Sequence, residues 1–142
     1  MISYDQDFYG WIQEQAALLK GGRLTELDIE NLVEEIETMG RSEKRELKNR
    51  LRVLIMHLLK WQYQPGNRCR SWSATISIQR KEVLDVLTDS PSLKPKVHDC
   101  IKDAYPRAVD DAVEETGVFK QNFPVECPWE FEQIVDDDFF PE

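Results

Sequence analysis

Apolar residues recur along the chain at the three- and four-residue intervals of amphipathic helices, and glycine and proline punctuate them. A first segment spans residues 5–20. Phe8, Trp11, Ile12, Gln15, Ala16 and Leu19 share one stripe there, and Gly21-Gly22 ends it. A second segment opens with Thr25 and Asp28 spaced as a capping box, with Leu24 and Ile29 as its hydrophobic staple. Ile29, Leu32, Val33, Ile36 and Met39 form its expected buried stripe, and Gly40 its expected left-handed stop. Ser42 follows as a cap, so the spacing predicts an antiparallel hairpin into a third segment.

The third segment carries Leu47, Leu51, Leu54, Ile55, Leu58 and Leu59, and Pro65 ends it by disfavouring helix at Gln64. Between Leu51 and Trp61 it is apolar nearly all round, with Val53 and Met56 pointing away from the leucine stripe. Such a helix is central in its fold or part of an oligomer interface. A fourth segment, residues 71–88, aligns Trp72, Ile76, Val83 and Leu87. Ile76 and Ile78 alternate with Ser77 as in a strand, but the helical period is longer. A fifth, residues 90–117, aligns Leu93, Val97, Ile101, Ala104, Ala108 and Ala112, with a kink or break expected at Pro106. Beyond Gly117 the pattern dissolves into a tail with one short helical turn at residues 128–135. The fold class is therefore all-α: an up-and-down bundle of about five helices over residues 1–118. An irregular tail, residues 119–142, packs on or beside it.

Composition places the 142-residue chain among single globular domains, with 41% hydrophobic and 32% charged residues. Its longest purely apolar run is the four residues from Val53 to Met56, against about 20 for a membrane span. The first residues carry no basic and apolar regions of a secretory signal. Cys69, Cys100 and Cys127 show no zinc or redox spacing and read as reduced packing thiols of a cytoplasmic protein.

The net charge of −9 is distributed in three blocks. Residues 1–40 carry 2 basic and 9 acidic side chains, residues 41–81 carry 11 and 2, and residues 82–142 carry 5 and 16. In the predicted hairpin Glu37 faces Arg45, Glu34 faces Lys48 and Glu30 faces Arg52, an inter-helix ion ladder. The competing reading is a nucleic-acid footprint on the basic third segment, which requires uncompensated cations. The opposing acids disfavour it.

Polar groups also accompany the apolar stripes. Asp28, Asn31 and Glu35 share a flank of the second segment, His57 lies in the most apolar stretch, and Gln79 and Arg80 adjoin the fourth stripe. Their first reading is a buried hydrogen-bonded cluster that fixes helix register. An alternative is a metal-dependent or acid–base enzyme centred on Glu35 and His57. Di-metal bundles, however, repeat Glu-x-x-His on two helices, and this chain has no such motif and 2 histidines in all. No phosphate-cradling glycine loop or nucleophile elbow occurs, so no catalytic residue, metal or cofactor is assigned.

The same clusters carry a resemblance. Tyr4-x-x-Asp7-Phe8-x-x-Trp11, Leu27-Asp28-x-x-Asn31-Leu32-x-Glu34-Glu35-Ile36-Glu37 and the run from His57 to Pro65 resemble the bacterial domain-of-unknown-function 29 family. Ser71-Trp72, Gln79-Arg80, Ser90-Pro91-Ser92-Leu93, Phe123-Pro124 and Cys127-Pro128 extend the likeness over nearly the whole chain. The resemblance implies a helical, cytoplasmic bacterial protein and carries no activity. The functional expectation is a non-enzymatic module that binds a protein partner or a second copy of itself, next to the third segment.

Overall fold

The computed structural model describes Met1–Glu142 as helices and turns without strands, in keeping with the all-α class. Its helices are α1 (Phe8–Lys20), α2 (Ile29–Tyr63), α3 (Arg70–Asp89), α4 (Val97–Thr116) and the short α5 (Phe131–Ile134). The chain divides into two compact units, Met1–Arg41 and Ser42–Glu142.

The hairpin expected at Gly40 does not form: residues 29–63 are one helix. Gly40 has no positive φ. A glycine within a helix costs about 1 kcal/mol relative to alanine. Its Glu-, Lys- and Arg-rich neighbours offset that cost through their own helix propensity and through pairs such as Glu37–Arg41 at i, i+4.

In the first unit, the Asp7 carboxylate caps α1 by accepting from the Gly10 amide at 3.0 Å. It lies so close that a Cβ on residue 10 would collide with it. The expected capping box is also displaced. Thr25 sits within a 3₁₀ turn, Leu24–Glu26, and α2 starts after Asp28, whose Oδ1 accepts from the Asn31 amide at 3.4 Å. Trp11 and Gln15 are the buried residues of α1. Of the stripe expected to be buried on α2, Leu32 is half-buried and the rest is bare: Ile29 is 61% exposed, Val33 47%, Ile36 65% and Met39 68%. The reason is the lane that α1 takes. Its Trp11 and Gln15 bond to Asp28, and Tyr4 just ahead of it bonds to Glu35, so the apolar row beside that flank stays open.

The second unit holds the hydrophobic core. Leu47, Leu51, Leu54, Ile55, Leu58 and Leu59 of α2 have no exposed surface, and Met56 is also buried. They pack with Ile76 and Val83 of α3, with Ile101, Ala104, Ala108 and Ala112 of α4, and with Phe123 and Ile134. The third predicted segment is thus central within this unit, with Val53 and Trp61 half-buried at its margin. Pro106 neither ends nor interrupts α4. It and Lys102, whose carbonyl loses a partner, both lie on the exposed side of the helix. Gly117, with φ 73°, supplies the left-handed stop where the helix does end.

Candidate functional site

The six residues of the proposed polar cluster fall in different places. Asp28, Asn31 and Glu35 belong to the first unit; His57, Gln79 and Arg80 belong to the second. Within the first unit, Asp28 Oδ2 accepts from Trp11 Nε1 at 3.0 Å and from Asn31 Nδ2 at 2.8 Å. Its backbone N–H donates to Gln15 Oε1 at 2.8 Å. The Asn31 and Trp11 bonds hold the Asp28 carboxyl below its ordinary pKa. The Tyr4 hydroxyl donates to Glu35 Oε1, and that bond pushes the phenol up to about 12. Tyr4, Trp11 and Gln15 thus join a cluster in which the spacing of polar residues places only Asp28, Asn31 and Glu35 of this unit. The signal was present: residues 4, 8, 11 and 15 recur at helical spacing, and two of them are aromatic with polar ends.

His57 is half-buried rather than enclosed, and its Nδ1 donates to the Val53 carbonyl 2.9 Å away on the same helix. Burial lowers its pKa. Arg80 is 1% exposed and spends its guanidinium on the tail: it donates to the carbonyls of Ile134 at 2.8 Å, Phe139 at 2.5 Å and Asp137 at 3.4 Å. Its face also lies over the Phe140 ring. No three His, Cys, Asp or Glu side chains converge as a metal site.

The ladder residues find other partners. With no turn at Gly40, Glu34 and Glu37 lie on the same helix as the cations they were to face, and both approach Arg41, at 3.4 and 3.9 Å. In the second unit, Lys48 pairs with Asp103 at 2.9 Å and Arg52 with Asp111 at 2.6 Å, both acids on α4. Lys60 reaches Glu115 at 3.2 Å and lies over the Trp72 ring. Glu30 and Arg45 form no ion pair. Lys48, Arg50, Arg52 and Lys60 thus each pair with an acid of residues 82–142, and Arg41 is the cation of the basic block that pairs with N-terminal acids.

A cleft of about 630 Å³ also opens in the second unit, between Ile101, Lys102 and Tyr105 of α4 and Val125, Trp129 and Phe131. Cys127 lines it, but burial pushes its thiol up and so away from the thiolate form.

Residues 3–140 match the family described as Domain of unknown function DUF29. The chain belongs to this family. No curated protein and no solved structure matches it. DUF29 membership spans both units, so the bare row of the first unit and the packed core of the second lie within the matched region. No helix of this DUF29 chain is long and apolar enough to cross a membrane.

Proposed function

We propose that the chain is a non-enzymatic protein-binding module that self-associates through its first unit. One observation carries the reading: Ile29, Val33, Ile36 and Met39 form an exposed i, i+4, i+7, i+10 row on a helix within a 41-residue unit. A unit of about 40 residues is marginal by itself, and burying each such side chain is worth about 1.5–3 kcal/mol. A row of four open aliphatic anchors is the pattern by which helices recognise protein partners. The three cysteines form no disulfide, which suits a bacterial cytoplasm.

Light scattering on the purified chain tests the reading. The expected mass exceeds the 16.7 kDa monomer and falls back to it when Ile36→Glu places a charge in the row. A 16.7 kDa particle at every concentration would remove self-association.

A further inference from the structure

The self-association reading leaves open what the row binds, and the distribution of unpaired charge addresses this. Resting on that reading, we propose that the acidic apolar row of one copy docks in a basic recess on the second unit of another copy.

The recess, about 390 Å³, is lined by Ser42, Arg45, Asn49, Arg50, Val53 and Gln79. Glu46 also borders it and lies 3.7 Å from Arg50. Two features mark it as unfinished. The Gln79 Oε1 atom at its wall is buried without a hydrogen-bond partner, as a polar atom of a completed interior is not. Its cations are also among the under-compensated ones of α2, which include Lys44 as well. Arg45 has no ion pair, and Arg50 reaches Glu46 and Glu82 only at 3.7 and 3.9 Å. Lys48 and Arg52, by contrast, hold close partners. Val53, half-buried among them, adds apolar surface to the recess.

The row is complementary. Residues 1–41 carry 9 acidic and 3 basic side chains, and residues 42–81 carry 2 and 10. Glu30, Glu34 and Glu37 flank Ile29, Val33 and Ile36 at helical spacing. Glu30 has no ion pair, and Glu34 and Glu37 share one exposed arginine. Two first units set face to face would oppose acid to acid. An acidic row on a basic recess joins opposite charges and buries Ile36 or Val33 against Val53. Reciprocal exchange of row and recess gives a closed two-fold dimer, in which each copy supplies both halves of the contact.

Sedimentation equilibrium of the full chain tests this. The wild type is expected to dimerise, with affinity falling at least about tenfold as salt rises from about 50 to about 500 mM. The double variants Glu34→Arg/Glu37→Arg and Arg45→Glu/Arg50→Glu are each expected to be monomeric. Mixed, they should form a heterodimer, because both contacts between unlike copies regain opposite charges. Circular dichroism confirms that each variant is folded. A wild-type dimer indifferent to salt, or folded variants that dimerise alone or fail to pair when mixed, overturns the recess while self-association stands. A wild type monomeric throughout overturns both. The salt series needs no variant, so a misfolded substitution does not leave the question open.

Discussion

Trp11 on α1 and Asp28 at the start of α2 are joined by a hydrogen bond of 3.0 Å from the indole Nε1 to Oδ2. The bond lies in the lane that α1 occupies, and so goes with the bareness of the adjacent apolar row. Trp11 is 1% exposed, the one buried large apolar side chain of its unit. Trp11→Ala is expected to destabilise the α1–α2 packing by about 3–5 kcal/mol. Hydrogen exchange over residues 8–20 reads the loss. Tyr9→Ala, at a 75% exposed position, should stay within about 0.5 kcal/mol of wild type. Protection of α1 unchanged in Trp11→Ala would remove Trp11 as its anchor.

Gly40→Ala separates the continuous helix from the hairpin. In α2 the position has a helical backbone, and a Cβ there meets nothing within 4 Å. Alanine should therefore stabilise the protein by about 0.4–1 kcal/mol, seen as a higher midpoint in thermal unfolding. A glycine stopping the helix in a left-handed turn would give the opposite sign.

Arg80→Met is expected to free the tail. The substitution keeps apolar bulk but leaves the Ile134, Asp137 and Phe139 carbonyls without their donor. Hydrogen bonds to charged groups are worth about 1.5–3 kcal/mol each. Limited proteolysis should then cut within residues 131–142 in the variant and not in wild type. Arg80→Lys should rescue poorly, because one ammonium cannot reproduce a planar fork. A variant tail as resistant as wild type would show that Arg80 is not its pin.

His57 sets an acid limb on stability. Burial depresses its folded pKa, aided by nearby Lys60 and opposed by the Val53 carbonyl and Glu115. Between the ordinary histidine pKa of about 6.5 and that lower value, the unfolded chain binds more protons than the native one. Stability is thus complete above about pH 6.5 and declines as pH falls below it. Asp28 and Asp103, held below the usual carboxylate pKa by hydrogen bonds from Asn31 and Lys48, add a second decline below about pH 4. Urea titrations from pH 7.5 to 5 should show the first slope in wild type and a flatter one in His57→Gln. Equal slopes would assign the decline to another group.

Much of the fold is legible in the chain because the signals are local. The stripe Leu93, Val97, Ile101, Ala104, Ala108 and Ala112 is buried throughout, as its spacing predicts. The ends at Gly21-Gly22, Pro65 and Gly117 fall where glycine permits a turn or proline disfavours helix before it. Gly40 misleads for a physical reason. A glycine permits a left-handed turn but does not compel one, and here the flanking helix formers prevail.

The ion pairs were hidden for another reason. Periodicity gives the face on which Lys48 and Arg52 lie but not the element opposite, and Asp103 and Asp111 are more than 50 residues away in sequence. Arg80 likewise reads as a helix-flank cation until the tail carbonyls are seen around it.

The helical class, the apolar stretch from Leu47 to Leu59 as a core element, and the acid–base–acid charge blocks all follow from residue type and spacing alone. Tertiary structure decided which stripe is covered. Ile29, Val33 and Ile36 carry the same i, i+4, i+7 pattern as Leu47, Leu51 and Leu54, yet the first set is exposed and the second buried. An apolar stripe specifies that a partner surface is favourable; whether the chain provides one depends on where distant segments pack.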